Sequence, residues 1–224
     1  MSATQLSWDS NFFGKRIGRM HWPTEEATGT LSHQFDLLYV ITEGANDIEL
    51  PNFKETYSET YLQFTKPTQN LPKNTHQDIA LYDAGMDQVK ELYALALSSG
   101  AYSRFRKDPN FDDATFQSLY RTWVDNSISK AIADGIFIAK VADTIAGFVT
   151  FKNHENVCKI GLIAVSATAQ GKGLGRKLMS AVEQQAQHNR MDAVEVTTQK
   201  SNQQATRFYK SSGYELEKTY LIKH

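Results

Sequence analysis

The segment Val165-Ser166-Ala167-Thr168-Ala169-Gln170-Gly171-Lys172-Gly173-Leu174-Gly175-Arg176-Lys177-Leu178 constrains the fold more than any other stretch of the chain. It follows an apolar run, Val157–Val165, that reads as a buried strand. It leads into a helix with Leu174, Leu178, Ala181 and Val182 at inward spacing. A strand, a glycine-rich turn and an amphipathic helix in that order predict an α/β arrangement with a ligand at the helix N-terminus. There the free N–H groups and the helix dipole attract phosphate. Gly171, Gly173 and Gly175 let backbone approach a ligand, and Lys172, Arg176 and Lys177 bring positive charge to the same mouth. The turn lacks the Gly-x-x-x-x-Gly-Lys-Ser/Thr pattern of a P-loop. Its glycine spacing also excludes the dinucleotide fingerprint.

Elements on either side extend this reading. Upstream, strands are expected at Asp78–Tyr82, Ile136–Val141 and Ile145–Phe151, the last two joined tightly at Asp143-Thr144. Helices are expected at Met86–Ser98 and from about Asp113 to Asp134, the second stopped by Gly135. Downstream come a strand at Ala193–Thr198, a helix over Gln203–Ser211 and a strand at Tyr214–Ile222. Near the N-terminus, strands at Arg16–Trp22, Asp36–Ile41 and Thr60–Thr65 and a weak helix near Glu25–Gln34 suggest a small α/β unit. The polar, proline-bearing stretch beginning at Lys66 reads as a linker. The expected organisation is therefore an N-terminal unit over 1–66, a linker over 67–77 and a main domain over 78–224, an α/β fold built on a mixed sheet.

The chain has 224 residues and a net charge of -1, so any phosphate binding has to be local, and neither nucleic acid nor an anionic membrane is an expected partner. A lone cysteine, Cys158, excludes an internal disulfide and suits a reducing compartment. The opening MSATQLSWDS does not read as a signal peptide, so the expected location is the cytoplasm. The six histidines show no ligand spacing, so no metal is expected.

Gln170-Gly171-Lys172-Gly173-Leu174-Gly175 resembles the Gln/Arg-x-x-Gly-x-Gly/Ala motif of the GCN5-related N-acetyltransferases. A second pattern lies in Asn202-Gln203-Gln204-Ala205-Thr206-Arg207-Phe208-Tyr209-Lys210-Ser211-Ser212-Gly213-Tyr214. It resembles the same family's Asn-x-x-Ala-x-x-Phe/Leu-Tyr…Gly-Phe/Tyr signature. The resemblance implies acetyl-coenzyme A as co-substrate, held in a gap between the strands at 157–165 and 193–198. It assigns the pyrophosphate to Gln170, Gly171, Lys172, Gly173, Leu174, Gly175 and Arg176, and the acetyl carbonyl and pantetheine arm to the backbone of Ile163 and Val165. Asn202 and Arg207 are implied as further cofactor contacts, although Asn202 also reads as the cap of the last helix. Tyr209 is implied as the general acid that protonates the leaving thiolate. Glu195 is a candidate base by position, with a surface glutamate as the plainer reading; Cys158 reads as a packing residue.

Two outer segments, Leu6–Gly14 (LSWDSNFFG) and Ser103–Phe111 (SRFRKDPNF), together with the length and layout, are similar to the TDP-fucosamine acetyltransferase subfamily. That similarity implies a nucleotide-linked 4-amino deoxysugar as acceptor, with Arg104, Arg106 and Lys107 neutralising its diphosphate. A protein or peptide amine is the other acceptor class, and a non-catalytic acyl-CoA-binding module a third reading. The oligomeric state is left open, a homodimer included.

Overall fold

The computed structural model describes residues 3–23, 31–44, 48–69, 71–72 and 76–224. Among the described residues ten strands form one sheet. In chain order they are β1 (Thr4–Gln5), β2 (Ile17–Trp22), β3 (Leu37–Thr42), β4 (Ser58–Pro67), β5 (Ile79–Leu81), β6 (Gly135–Val141), β7 (Thr144–His154), β8 (Val157–Val165), β9 (Ala193–Gln199) and β10 (Glu215–Lys223). Their order across the sheet is β1-β2-β3-β10-β4-β9-β8-β7-β6-β5. Only β2 with β3 and β8 with β9 run parallel among these pairs, so the sheet is mixed, as expected.

The described residues also form seven α-helices that cover it: α1 (Ser7–Phe13), α2 (Leu31–Gln34), α3 (Val89–Ser99), α4 (Arg104–Lys107), α5 (Asp113–Ile128), α6 (Leu174–His188) and α7 (Gln203–Ser211). Alternation along the strands sends neighbouring side chains to opposite faces. Phe148, Ile138, Ile17 and Tyr39 join Leu92, Leu119, Phe105 and Phe111 under α3, α4 and α5. Val149, Phe64, Val194 and Cys158 join Leu178, Val182 and Tyr209 under α6 and α7. Each face thus has its own core, and β7 reads as an apolar run from Ile145 to Phe151 because both of its faces are covered.

Three expectations need correction. The boundary at 67–77 does not part the sheet: β10 inserts between β3 and β4, and β4 in turn pairs with β9 from Tyr61↔Gln199 to Pro67↔Ala193. Lys66 and Pro67 belong to β4, where the lysine is held by Glu183 at 2.9 Å and the Ser212 carbonyl at 3.0 Å. The helix expected to reach Asp134 ends at Ile128; Lys130 turns left-handed with φ 62, and Gly135 opens β6. The β6–β7 turn is made by Ala142 and Asp143, with φ 48 and 64, because a tight antiparallel connection requires left-handed backbone at both positions. Of the helix expected near Glu25–Gln34, α2 accounts for Leu31–Gln34, and 24–30 lie outside the described residues.

Candidate active site

β8 and β9 begin as neighbours, pairing from Val157↔Ala193 to Ile160↔Val196, and pair no further. The cause lies on the other side of β8. Its register with β7 slips between Phe151↔Ile160 and Val149↔Ile163, so Gly161 and Leu162 together oppose the single residue Thr150. The Thr150 hydroxyl accepts a hydrogen bond from the Leu162 N–H at 2.8 Å, which stabilises this bulge. A side chain at Gly161 would meet that hydroxyl at 2.9 Å, so glycine is the residue that fits. Beyond the bulge the β9-facing backbone of β8 has no strand to pair with, and buried ladder groups call for a partner.

The gap opens a cleft of about 750 Å³. One side is the backbone from Gly161 to Val165, the other Thr197, Thr198 and Gln199 of β9, with Asn202, Ala205, Phe208 and Tyr209 of α7. The mouth is the glycine-rich turn. Gly171 and Gly173 sit at φ 77 and 81, a region L side chains rarely adopt, and Gly173 begins α6 with no side-chain cap. The first helical bond of α6 runs from the Lys177 N–H to the Gly173 carbonyl, leaving the N–H groups of Leu174, Gly175 and Arg176 free of the helix. All three residues line the cleft. Gly175 lets Phe208 approach, since an added methyl would lie 3.2 Å from that ring. Gln170 bonds the Val165 carbonyl at 3.1 Å and accepts from the Gln204 amide at 3.3 Å, tying the turn to β8 and α7.

Most of the expected residues thus converge. Ile163, Val165, Gln170, Gly171, Gly173, Leu174, Gly175, Arg176, Asn202 and Tyr209 all line the cleft. Asn202 caps α7, its side-chain oxygen accepting from the Ala205 N–H at 3.1 Å. Lys172 and Arg207 are exposed and outside the lining. Lys177 is paired with Asp78 at 2.7 Å. Glu195 pairs across to Lys159 in the zipped part of the sheet, before the gap opens, and is not a lining residue. Tyr209 is 4% exposed, and burial pushes its phenol above the ordinary range, so it stays protonated. The Cys158 thiol is wholly buried and pushed up to about 12 by that burial, which makes it an inert packing group.

The cleft also has a wall the motifs do not announce. Ser98, Ser99, Ala101, Tyr102 and Tyr120 come from α3, the short turn after it and α5. Their only sequence signal is helix periodicity, which locates the helices but not which end faces the gap. Arg104, Arg106 and Lys107 stand in α4 beside this wall rather than in the cavity lining. Arg106 pairs with Asp113 at 2.8 Å, and Lys107 lies 3.7 Å from Glu59 and 3.2 Å from the Ser201 hydroxyl. Arg104 stacks over Tyr39 at 4.2 Å and over Phe105 at 4.7 Å. Among the described residues no group of three or more His, Cys, Asp or Glu side chains could hold a metal ion.

Relatives and folds agree with this geometry. The chain is 21% identical to the spore coat polysaccharide biosynthesis protein SpsD of Bacillus subtilis, across 97% of this chain and 80% of that protein. It is 28% identical to the dTDP-fucosamine acetyltransferase of Escherichia coli, across 66% of this chain and 64% of that protein. The crystal structure of a GNAT-family protein from Novosphingobium aromaticivorans superposes with a TM-score of 0.60 at 16% identity, covering 88% of this chain and 78% of that one. The model of the acetyltransferase (GNAT) family matches residues 92–214. A cleft with an unpaired strand edge and an uncapped, glycine-lined helix start suits a long donor with a diphosphate in its middle. The chain accordingly belongs to the acetyltransferase (GNAT) family and is an N-acetyltransferase that uses acetyl-coenzyme A.

Proposed function

We propose that this N-acetyltransferase acts on the 4-amino group of a nucleotide-linked amino deoxysugar, in the building of a surface polysaccharide. The observation that carries the reading is the meeting of two distant segments beside the cleft. Phe13 of α1 stacks on Phe105 at 5.4 Å and lies 4.6 Å from Phe111, joining the Trp8–Gly14 segment to Ser103–Phe111. Arg104 stands at that junction, its guanidinium over the Tyr39 and Phe105 rings, and shortly before it in the chain Ala101 and Tyr102 line the cleft. A cation there suits an acceptor that brings its own phosphates. Arg106 and Lys107 lie 2.8 Å and 3.7 Å from carboxylates, whereas the charge facing Arg104 is the more distant one of Asp9, so Arg104 carries the diphosphate part of the reading. The names of the two relatives, one in polysaccharide biosynthesis and one a dTDP-fucosamine acetyltransferase, support the same class.

Acetyl-coenzyme A supplies an acyl thioester. The backbone of Ile163 and Val165 along the open edge of β8 and the free N–H groups of Leu174, Gly175 and Arg176 are our candidates for its thioester arm and its pyrophosphate. Transfer forms a C–N bond and breaks a C–S bond; the amine gives up one proton to solvent and the departing sulfur takes one up. Tyr209, lining the cleft and kept neutral by burial, is our candidate for that donor.

The test is turnover, read by thiol release, of a dTDP-linked 4-amino-4,6-dideoxyhexose, the free amino sugar and a set of peptide amines. The nucleotide-linked sugar should be preferred, and Arg104→Ala should raise its KM while leaving KM for acetyl-coenzyme A unchanged. Equal turnover of free and nucleotide-linked sugar, or turnover of peptides alone, would overturn the reading.

A further inference from the structure

Asp108 and His224 are both buried, although neither belongs to the cleft. Asp108 follows α4, and its Oδ2 lies 2.5 Å from His224 Nδ1, with both side chains closed to solvent. The other Asp108 oxygen accepts from the Asn110 N–H at 2.9 Å and the Asn110 amide at 3.0 Å. His224 follows β10, and its ring stacks on Tyr39 of β3 at 4.4 Å. Tyr39 in turn carries the Arg104 guanidinium at 4.2 Å. Arg104 and Asp108 are themselves joined, since the Asp108 N–H donates to the Arg104 carbonyl at 2.9 Å. The contacts therefore close a ring: Arg104 to Tyr39, Tyr39 to His224, His224 to Asp108, and Asp108 back through the α4 backbone to Arg104.

A ring of this kind has a cost that needs a reason. It buries a carboxylate and an imidazole, and leaves His224 Nε2 without a partner, where an apolar pair would pack more cheaply. What the ring gains is definition at one end. The flexible Arg104 side chain rests on a ring that is fixed from below, and the short α4 is held at both of its ends.

We propose that Asp108 and His224 are positioning residues that set the Arg104 guanidinium for the acceptor, acting through Tyr39 and the α4 backbone. This rests on the assignment of Arg104 to the acceptor side made above. Neither Asp108 nor His224 lines the cleft assigned above to acetyl-coenzyme A, so the pair is given no part in holding it.

Two variants separate positioning from folding. His224→Phe keeps a ring on Tyr39 and removes the bond to Asp108; His224→Asn keeps an N–H donor near the Nδ1 position and removes the ring. Both are first compared with the wild type by thermal unfolding, where a lower Tm with the cooperative transition kept is expected because Asp108 loses its partner, and by calorimetric affinity for acetyl-coenzyme A, which should be unchanged. With the dTDP-linked 4-amino-4,6-dideoxyhexose, His224→Phe should raise acceptor KM by up to about 100-fold, with His224→Asn recovering part of the loss. A second readout needs no acceptor. In the ¹⁵N-arginine spectrum the Arg104 Nε–H signal, shifted by the Tyr39 ring in the wild type, should move towards that of solvent-exposed arginines in His224→Phe. An unmoved Arg104 signal in a folded His224→Phe protein would overturn the proposal, as would unchanged acceptor KM. A wild type inactive on the sugar nucleotide would sink the substrate reading alone, leaving the spectrum to decide the positioning role.

Discussion

Tyr209 shows what one buried side chain can and cannot announce. Its place in a family-like pattern was legible in the sequence, since Asn202, Ala205, Phe208 and Tyr209 share one short stretch. Its environment was not: Phe64, whose ring lies 5.8 Å away, comes from β4, far off in the chain. That environment holds the phenol in its protonated form above the ordinary tyrosine range. Tyr209→Phe keeps the ring and its packing, so acetyl-coenzyme A affinity should stay within about twofold while kcat falls by roughly 100- to 10,000-fold. Because the raised pKa keeps the proton on oxygen as pH climbs, kcat of the wild type should show no loss from Tyr209 ionisation up to about pH 10. Nearly normal kcat in the variant would assign protonation of the sulfur to another group. Glu195 makes the opposite point. Its position on β9 suggested a base, but whether a strand residue faces a gap depends on where the gap starts, and that is set by Thr150 and Gly161 on two other strands.

At the scale of the element, the strand-turn-helix from β8 through α6 was readable because its signals are local: an apolar run, spaced glycines and helical periodicity. The bulge that makes the unit useful was not, because it is a property of register, and register belongs to two strands together. The helix of α5 was overextended for a related reason; its apolar spacing runs on past Ile128, while the left-handed Lys130 that ends it carries no sequence mark. Gly173 links the local and the non-local. Nothing lies within 4 Å of where its Cβ would be, so a substitution meets open cleft and not the core. Its positive φ still makes any side chain strained, at a cost of about 1–2 kcal/mol. Gly173→Val should therefore stay folded with a modestly lower Tm and lose acetyl-coenzyme A affinity by about tenfold or more, both measurable on one sample by calorimetry. Unchanged affinity in a folded variant would displace the pyrophosphate from the start of α6.

For the whole molecule, the sequence divided what the structure joins. A polar stretch with prolines, beginning within the end of β4, reads as a boundary, yet β4 lies between β10 and β9, and β3 pairs with β10. No local pattern could show this, because strand order records meetings between distant segments. The two faces then share a single sheet, and the core around Phe64 combines residues from before and after 67–77. Scanning calorimetry should accordingly show one cooperative transition for the full chain. Residues 78–224 expressed alone would lose the partner strands of β10 and should be insoluble or unfolded. Two separable transitions, or a stable and soluble 78–224 fragment, would restore the boundary.

The insertion of β10 between β3 and β4 also sets a clock. On the ribosome, β3 and β4 leave the exit tunnel early, but the strand that belongs between them is made after every other strand. At ordinary elongation rates the nascent chain waits roughly ten to thirty seconds with that slot open. During the wait, Tyr39, Tyr61 and their neighbours have no permanent cover. The yield of such a chain in cells should therefore respond to the speed of translation over its last third more than to the stability of the finished fold.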